Sequence, residues 1–320
     1  MPQRRDGQRS SRTVARSSQA ARDVPTDSFA RRLMASLDDL EARYLDLLDR
    51  SAIRNVDPNR RGSGIVFVGA SKWGWSPDAG LTGERTHLAA ELDEWLSLFR
   101  LLHRDALPET EKRIGNASRL LRRWLLRDGR DTSIPPTVEQ ARDKAANAFV
   151  ELRELIDMHA SSSTGLVAVV DTNALLHLPD VADYRDVLGC DQFEVVLLPT
   201  VLSELDELKD RGRTADARDA ATAVVRRIKG LRDRGNLRSG VPVEGKISLR
   251  AEHREVAPRG ILDWLDPQVP DDRIIGATLD LQARYPSKTI VLVSRDINLQ
   301  NKAAAVGIPI VDPSARSATP

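Results

Sequence analysis

Two rhythms of apolar and polar positions run along the chain, and they change over near residue 160. From Asp27 onward, Phe29, Leu33, Leu37, Leu40, Tyr44 and Leu48 recur at steps of three and four residues. That spacing puts them on one face of a helix. Pro58 and the glycines of 62–64 interrupt it, and Ile65-Val66-Phe67-Val68 then reads either as a strand or as a packed linker. Trp73-Gly74-Trp75-Ser76-Pro77 reads as a loop whose tryptophans either plug the end of a helical bundle or stack on bases. Helical spacing returns over 84–107 (Leu88, Leu92, Trp95, Leu96, Phe99, Leu102), then over 114–126 and 138–159. Residues 27–160 are therefore expected to form an α-helical accessory domain, in which no motif announces a chemistry.

After a short polar linker, 161–165, the pattern is different. Leu166–Val170 is a continuous apolar run rich in β-branched residues, as a parallel strand buried on both faces requires. Residues 193–198 and Thr289–Val293 have the same character, and 308–311 is a weaker fourth. Between them, 200–209, Ala215–Arg234 and 272–284 read as helices. Strands alternating with helices predict a three-layer α/β/α domain with a central parallel sheet over 166–312. Residues 243–256 alternate around Ile247 and Leu249 and read as a small inserted hairpin. The polar, Arg- and Ser-rich residues 1–26 are expected to be disordered, and 313–320 to be a tail.

Composition narrows the function. The 320 residues, 41% hydrophobic and 30% charged, suffice for one large domain or two ordinary ones. No run approaches the ~20 apolar residues of a membrane span, and the N-terminus lacks the apolar run of a signal peptide. A cytoplasmic location is expected. The lone Cys190 excludes an intramolecular disulfide and a cysteine-based zinc site. His87, His103, His159, His177 and His253 are scattered without metal-ligand spacing, which speaks against a zinc hydrolase. The net charge of +1 carries no global signature of nucleic-acid binding. The basic residues of 211–234 either line an RNA path or form a solvated helix face.

The candidate chemistry lies in the second half. In open α/β sheets, sites form at the carboxyl ends of the strands. Asp171 directly follows Leu166–Val170, and Asp296 stands just beyond Thr289–Val293. Glu204 falls in the first turns of the helix after 193–198, and Asp272, with Asp271 beside it, opens the helix 272–284. Each has a plain alternative: a turn former, a solvated helix residue or an N-cap. Four carboxylates delivered to one edge would repel one another unless a cation holds them. An all-oxygen set without His or Cys suits Mg²⁺ or Mn²⁺ rather than zinc.

The ordered series Val-Val-Asp171-Thr-Asn173, Leu-Pro199-x-x-x-x-Glu204-Leu, Asp271-Asp272-x-Ile-Ile-x-Ala and Val-Ser294-x-Asp296-x-Asn298-Leu resembles the PIN domain family of nucleases. Its closing motif is most similar to the PIN domains that precede PhoH-type ATPases. The resemblance covers about 166–312. It implies a ribonuclease that holds Mg²⁺ or Mn²⁺ with the quartet Asp171, Glu204, Asp272 and Asp296. It also implies that Asn173 supports the first Asp and that Ser294 orients the last carboxylate. Asp271 is a near neighbour of less defined role. Asn298 stands where some members carry a further acid. No Walker A motif occurs, so no ATP hydrolysis and no nucleotide cofactor is expected.

The implied activity is endonucleolytic cleavage of RNA, in a toxin or defence setting or in RNA processing. Possible partners are an inhibitor protein and a second copy of the chain. Two rival readings stand beside it. One is a PIN fold that only binds RNA or protein. The other is a phosphotransferase using Asp171 as nucleophile, disfavoured because Asn173 occupies the position where a second Asp is needed.

Overall fold

A computed structural model of the protein describes residues 27–56, 72–127, 131–159, 165–254 and 261–316. The expectations for 1–26, for 62–68 and for most of the 161–165 linker lie outside these residues. The chain divides into two compact units, Phe29–Ser162 and a unit containing Ser163–Pro320.

The first unit is built on four helices: α1 (Phe29–Asp49), α2 (Thr82–Leu102), α3 (Pro108–Leu126) and α4 (Val138–Asp157). The spaced residues Phe29, Leu33, Leu37, Leu40, Tyr44 and Leu48 are all buried, so one face of α1 enters the core. Burying each such side chain is worth roughly 1.5–3 kcal/mol. α1 packs on α4 and α2, and α3 packs on both α4 and α2. The polar ends of the core aromatics are satisfied: Tyr44 Oη donates to the Leu121 carbonyl at 3.0 Å, and Trp95 Nε1 to the Leu33 carbonyl at 3.1 Å. Helix starts follow local chemistry, with Pro108 at the head of α3 and the Thr137 hydroxyl capping α4.

The 73–77 segment departs from its expected loop. Trp73–Trp75 is strand β2, antiparallel to β1 (Ile53–Asn55) in a two-stranded ribbon. Strands of three residues are too short to show alternation, and their pairing joins positions far apart in sequence. Trp73 and Trp75 pack against the helical core, Trp75 edge-on to Trp124 with ring centroids 5.7 Å apart.

The second unit is an α/β domain. Its strands are β3 (Leu166–Val170), β4 (Gln192–Leu197), β5 (Val241–Glu244), β6 (Lys246–Ala251), β7 (Thr289–Val293) and β8 (Ile310–Val311). They form one sheet in the order β5-β6-β4-β3-β7-β8. All neighbours are parallel except the edge pair β5–β6. The hairpin expected over 243–256 is thus not a separate insertion. It begins at Val241, and β6 continues the central sheet alongside β4.

Flanking helices are α5 (Thr172–His177), α6 (Tyr184–Leu188), α7 (Pro199–Arg211), α8 (Ala215–Arg234), α9 (Pro270–Arg284) and α10 (Ile297–Ala305). The central strands β3 and β7 are buried along almost their whole length, as their unbroken apolar sequence requires. Within the expected tail, Pro313–Arg316 forms a 3-10 turn. No described helix is long and apolar enough to cross a membrane.

Candidate acidic site at the carboxyl edge of the sheet

Asp171 is the centre of the site. It leaves β3 where the chain turns into α5, and its backbone N–H still donates to the Val293 carbonyl of β7 at 3.1 Å. Only 3% of the residue is exposed. Its Oδ1 caps α5 by accepting the Ala174 N–H at 2.6 Å, and its Oδ2 accepts the Ser294 hydroxyl. Each carboxylate oxygen has a second lone pair, so further ligation is open to both. Burial pushes the Asp171 carboxyl above its ordinary range, against the hydrogen bonds from Ser294 and Ala174, and the charges of Asp296 and Glu204 push the same way.

Asp296 follows β7 and caps α10, accepting the N–H groups of Asn298 at 2.8 Å and Leu299 at 3.3 Å. Its own N–H donates to Ser294 Oγ at 3.0 Å. Buried Ser294 therefore ties the first and last acids together through a single hydroxyl. It holds the Asp171 side chain directly and the Asp296 backbone at its base. Asn173 is exposed. The neighbouring Thr172 does the bracing, its hydroxyl donating to Glu204 Oε2. Burial raises the Glu204 carboxyl, and the charge of Asp271 adds to that rise.

The two acids at the head of α9 face different surroundings. Asp272 is buried, and both its oxygens are engaged. Oδ1 takes the Lys302 ammonium at 2.6 Å, and Oδ2 the Asp266 N–H at 2.9 Å. Asp271 keeps 32% of its side chain exposed and stands 3.6 Å from Lys302. The charges of Asp271 and Glu207 both act on Glu204. Asp272, the residue taken from the motif spacing, is tied instead into a bridge between α9 and α10. Both carboxylates lie in the first helical turn, where the dipole favours negative charge.

An open groove of about 710 Å³ borders this edge, lined by Asn173, His177, Arg295, Asp296, Asn298 and Ser314. Arg295 is exposed there, with its Nε donating to Ser314 Oγ at 2.7 Å. Among the described residues, no three His, Cys, Asp or Glu side chains are already gathered as a metal cage. The donor chemistry nonetheless fits a hard divalent cation, being all carboxylate, with Asp171 and Glu204 raised first by burial and further by neighbouring negative charge. Sequence reading passed over Thr172, Lys302 and the groove residues His177 and Arg295. Thr172 lies inside the Asp-Thr-Asn motif, and Arg295 and Lys302 lie within the closing motif that runs from Val293 to Ala303.

Comparison with known proteins agrees with this architecture. Residues 168–314 match the family described as PIN domain. The chain is also similar to Protein PhoH2 of Bacillus subtilis (strain 168), 28% identical over 146 residues. That match covers 44% of this chain and 31% of the relative, so the chain spans about a third of the length of the protein it resembles.

Proposed function

We propose that this chain, whose residues 168–314 match the PIN domain family, a family whose members are generally nucleases, is a metal-dependent endoribonuclease with its acidic site at Asp171, Glu204, Asp271 and Asp296. The observation that carries the reading is the buried Asp171 at the end of β3, with its charge set against those of Glu204 and Asp296. Evolving such a cluster without a counter-cation would cost stability for nothing. In this reading Asp271 is preferred to the motif's Asp272 as the third acid, because it is the more exposed of the two while the Asp272 oxygens hold the Lys302 ammonium and the Asp266 N–H.

A bound Mg²⁺ or Mn²⁺, held by these four acids, would supply the missing positive charge and lower the pKa of a water at the scissile phosphate. The protein's part is to position. Ser294 fixes the Asp171 carboxylate, and the helix cap fixes Asp296. Thr172 occupies one oxygen of Glu204, leaving the other to accept a proton from the attacking water. Arg295 and His177 line the groove where the RNA backbone would lie. Attack by water on the phosphorus leaves 5′-phosphate and 3′-hydroxyl ends.

One observation favours a second reading, a PIN fold that binds without cutting. Lys302 already offers an ammonium to Asp271 and Asp272 and so acts as an internal counter-cation. Purified protein incubated with single-stranded and structured RNAs, with Mn²⁺, with Mg²⁺ or with EDTA, decides between the two. Metal-dependent cleavage that Asp171→Asn abolishes is the expected result. Folded wild-type protein that neither cuts nor gains thermal stability from Mn²⁺ would leave the binding module.

A further inference from the structure

The helical unit holds a cavity of about 800 Å³ between the β1–β2 ribbon, the start of α2 and the end of α3. Its walls include Trp73, Trp75, Asp78, Arg85, Arg127 and Asp131. The volume lies in the range typical of small-molecule sites, ~300–1,000 Å³.

The cavity is built around two nearly buried guanidinium groups. The side chains of Arg85 and Arg127 are 11% and 12% exposed, and both lean on one carboxylate, Asp78, at 2.9 Å each. One negative charge thus serves two positive ones. The other acid of the wall, Asp131, is engaged by Arg123 at 3.3 Å. Exposed Arg54 and Lys72 also line the cavity, so its charge is positive. Burial disfavours the charged form of Arg127, which marks an electrostatic demand that Asp78 does not fully meet.

Hydrogen bonding points the same way. Arg85 spends Nη1 on the Leu125 carbonyl at 2.9 Å and Nη2 on Thr82 Oγ1 at 3.1 Å. Arg127 spends Nη2 on Ser51 Oγ and Asp78. Arg85 Nε, Arg127 Nε and Nη1 and Trp75 Nε1 are buried donors with no partner among the described residues. Asp131 Oδ2 is a buried acceptor in the same condition. Buried polar groups are almost always paired, and these unpartnered atoms all belong to residues of the cavity wall, which calls for a ligand there.

The backbone adds an independent sign. Arg127 is the one non-glycine residue among those described with a left-handed backbone, at φ 53°. Its guanidinium lies over the Trp75 ring, 3.8 Å from the centroid. A C-cap in this conformation is ordinarily glycine, so an arginine held there at a strain cost is retained for its side chain.

From these features we propose that the cavity binds a nucleoside carrying a terminal phosphate. The phosphate oxygens would accept from Arg85, Arg127 and Trp75, in the fork geometry that favours arginine for this group. The base would lie along the indole wall of Trp73 and Trp75, and a sugar hydroxyl or base N–H would donate to Asp131. The same chemistry is presented by a free nucleoside monophosphate and by the 5′-phosphorylated end of an RNA. The inference stands on the helical unit alone and does not depend on the nuclease reading. The lack of a Walker A motif bears on triphosphate hydrolysis, not on a site of this kind.

The test is equilibrium binding by calorimetry to the full chain, in EDTA to prevent cleavage. The probes are AMP, GMP, CMP and UMP, adenosine, inorganic phosphate, and a short RNA with or without a 5′-phosphate. At least one nucleoside monophosphate or the 5′-phosphorylated RNA should bind, with adenosine and inorganic phosphate each at least ~10-fold weaker. Arg127→Gly, which keeps the left-handed backbone without strain, should weaken binding ~10-fold or more. Exposed Arg54→Ala, which does not threaten folding, should weaken it several-fold and reduce its salt dependence. Tighter binding of the 5′-phosphorylated RNA than of any mononucleotide would identify an RNA end as the source; the reverse order would identify the free nucleotide. No binding by any probe would overturn the proposal. So would equal affinity for adenosine and AMP, or affinity unchanged in a folded Arg127→Gly variant.

Discussion

Neutralising the two adjacent acids of α9 one at a time tests the proposal that Asp272 is a structural carboxylate and Asp271 a chemical one. In Asp272→Asn the amide cannot serve both the Lys302 ammonium, 2.6 Å from Oδ1, and the Asp266 N–H, 2.9 Å from Oδ2, because both are donors. Losing one charge-assisted hydrogen bond at a buried site costs ~1.5–3 kcal/mol. Lys302 is 30% exposed and regains some hydration, which brings the expected loss to about 2 kcal/mol. For a unit of this size that lowers Tm by roughly 4–8 °C. Asp271 is 32% exposed and 3.6 Å from Lys302, so Asp271→Asn should change stability by less than about 0.5 kcal/mol. Its effect should fall on cleavage, with a loss of ~10²-fold or more if it takes part in binding the cation. Thermal and urea unfolding of the full chain, with Mn²⁺-dependent RNA cleavage corrected for the folded fraction, read both quantities. An Asp272→Asn protein of unchanged stability and no activity, beside an active Asp271→Asn protein, would refute the assignment of the two roles.

Three further outcomes are expected. Ser294→Ala removes the donor to Asp171 and the acceptor of the Asp296 N–H, so it should cost about 2 kcal/mol and raise the Asp171 carboxyl further. The acid limb of the cleavage pH profile should then move to higher pH, and an unmoved limb would show that Asp171 is not the group titrating. In the helical unit, burial first and the neighbouring His159 charge second hold the His103 imidazole down at about 4 from an ordinary 6.5. The unfolded chain takes up that proton first, so the full stability present above pH 6.5 is lost as pH falls towards 4. The loss should be of the order of 2 kcal/mol after allowing for partial solvent contact, and His103→Leu should flatten it in urea midpoints measured between those limits. Mn²⁺ at ten times its Kd should stabilise the wild-type protein by about 1.4 kcal/mol and leave Asp171→Asn nearly unmoved. Equal stabilisation of both would place the ion elsewhere.

What could be read from the sequence follows from short-range physics. The three- and four-residue spacing of α1 and the unbroken apolar runs of β3 and β7 are local patterns, and each led to the right kind of element. Asp171 and Asp296 fall at one edge because each follows its strand within a few residues, and the register of β3 against β7, with Val170 opposite Val293, brings both strand ends together. Short or distant pairings gave no such sign. The three-residue strands of the tryptophan ribbon and the membership of β6 in the central sheet each depend on partners that no local window contains.

The choice between Asp271 and Asp272 was beyond the sequence for a related reason. Successive residues on a helix are turned about 100° around its axis. How closely each of the two approaches Lys302, and how much of each stays exposed, is therefore decided by the rotation of α9 as it packs on its neighbours. The cavity of the helical unit is likewise a tertiary product. Arg85 lies on α2 and Arg127 caps α3, and only the packed fold brings both to Asp78 in the wall of one cavity. Sequence alone determined the elements and the kind of chemistry they carry, because those depend on neighbours along the chain. Tertiary structure decided which side chains share a site, because that depends on how rigid elements turn and pack against one another.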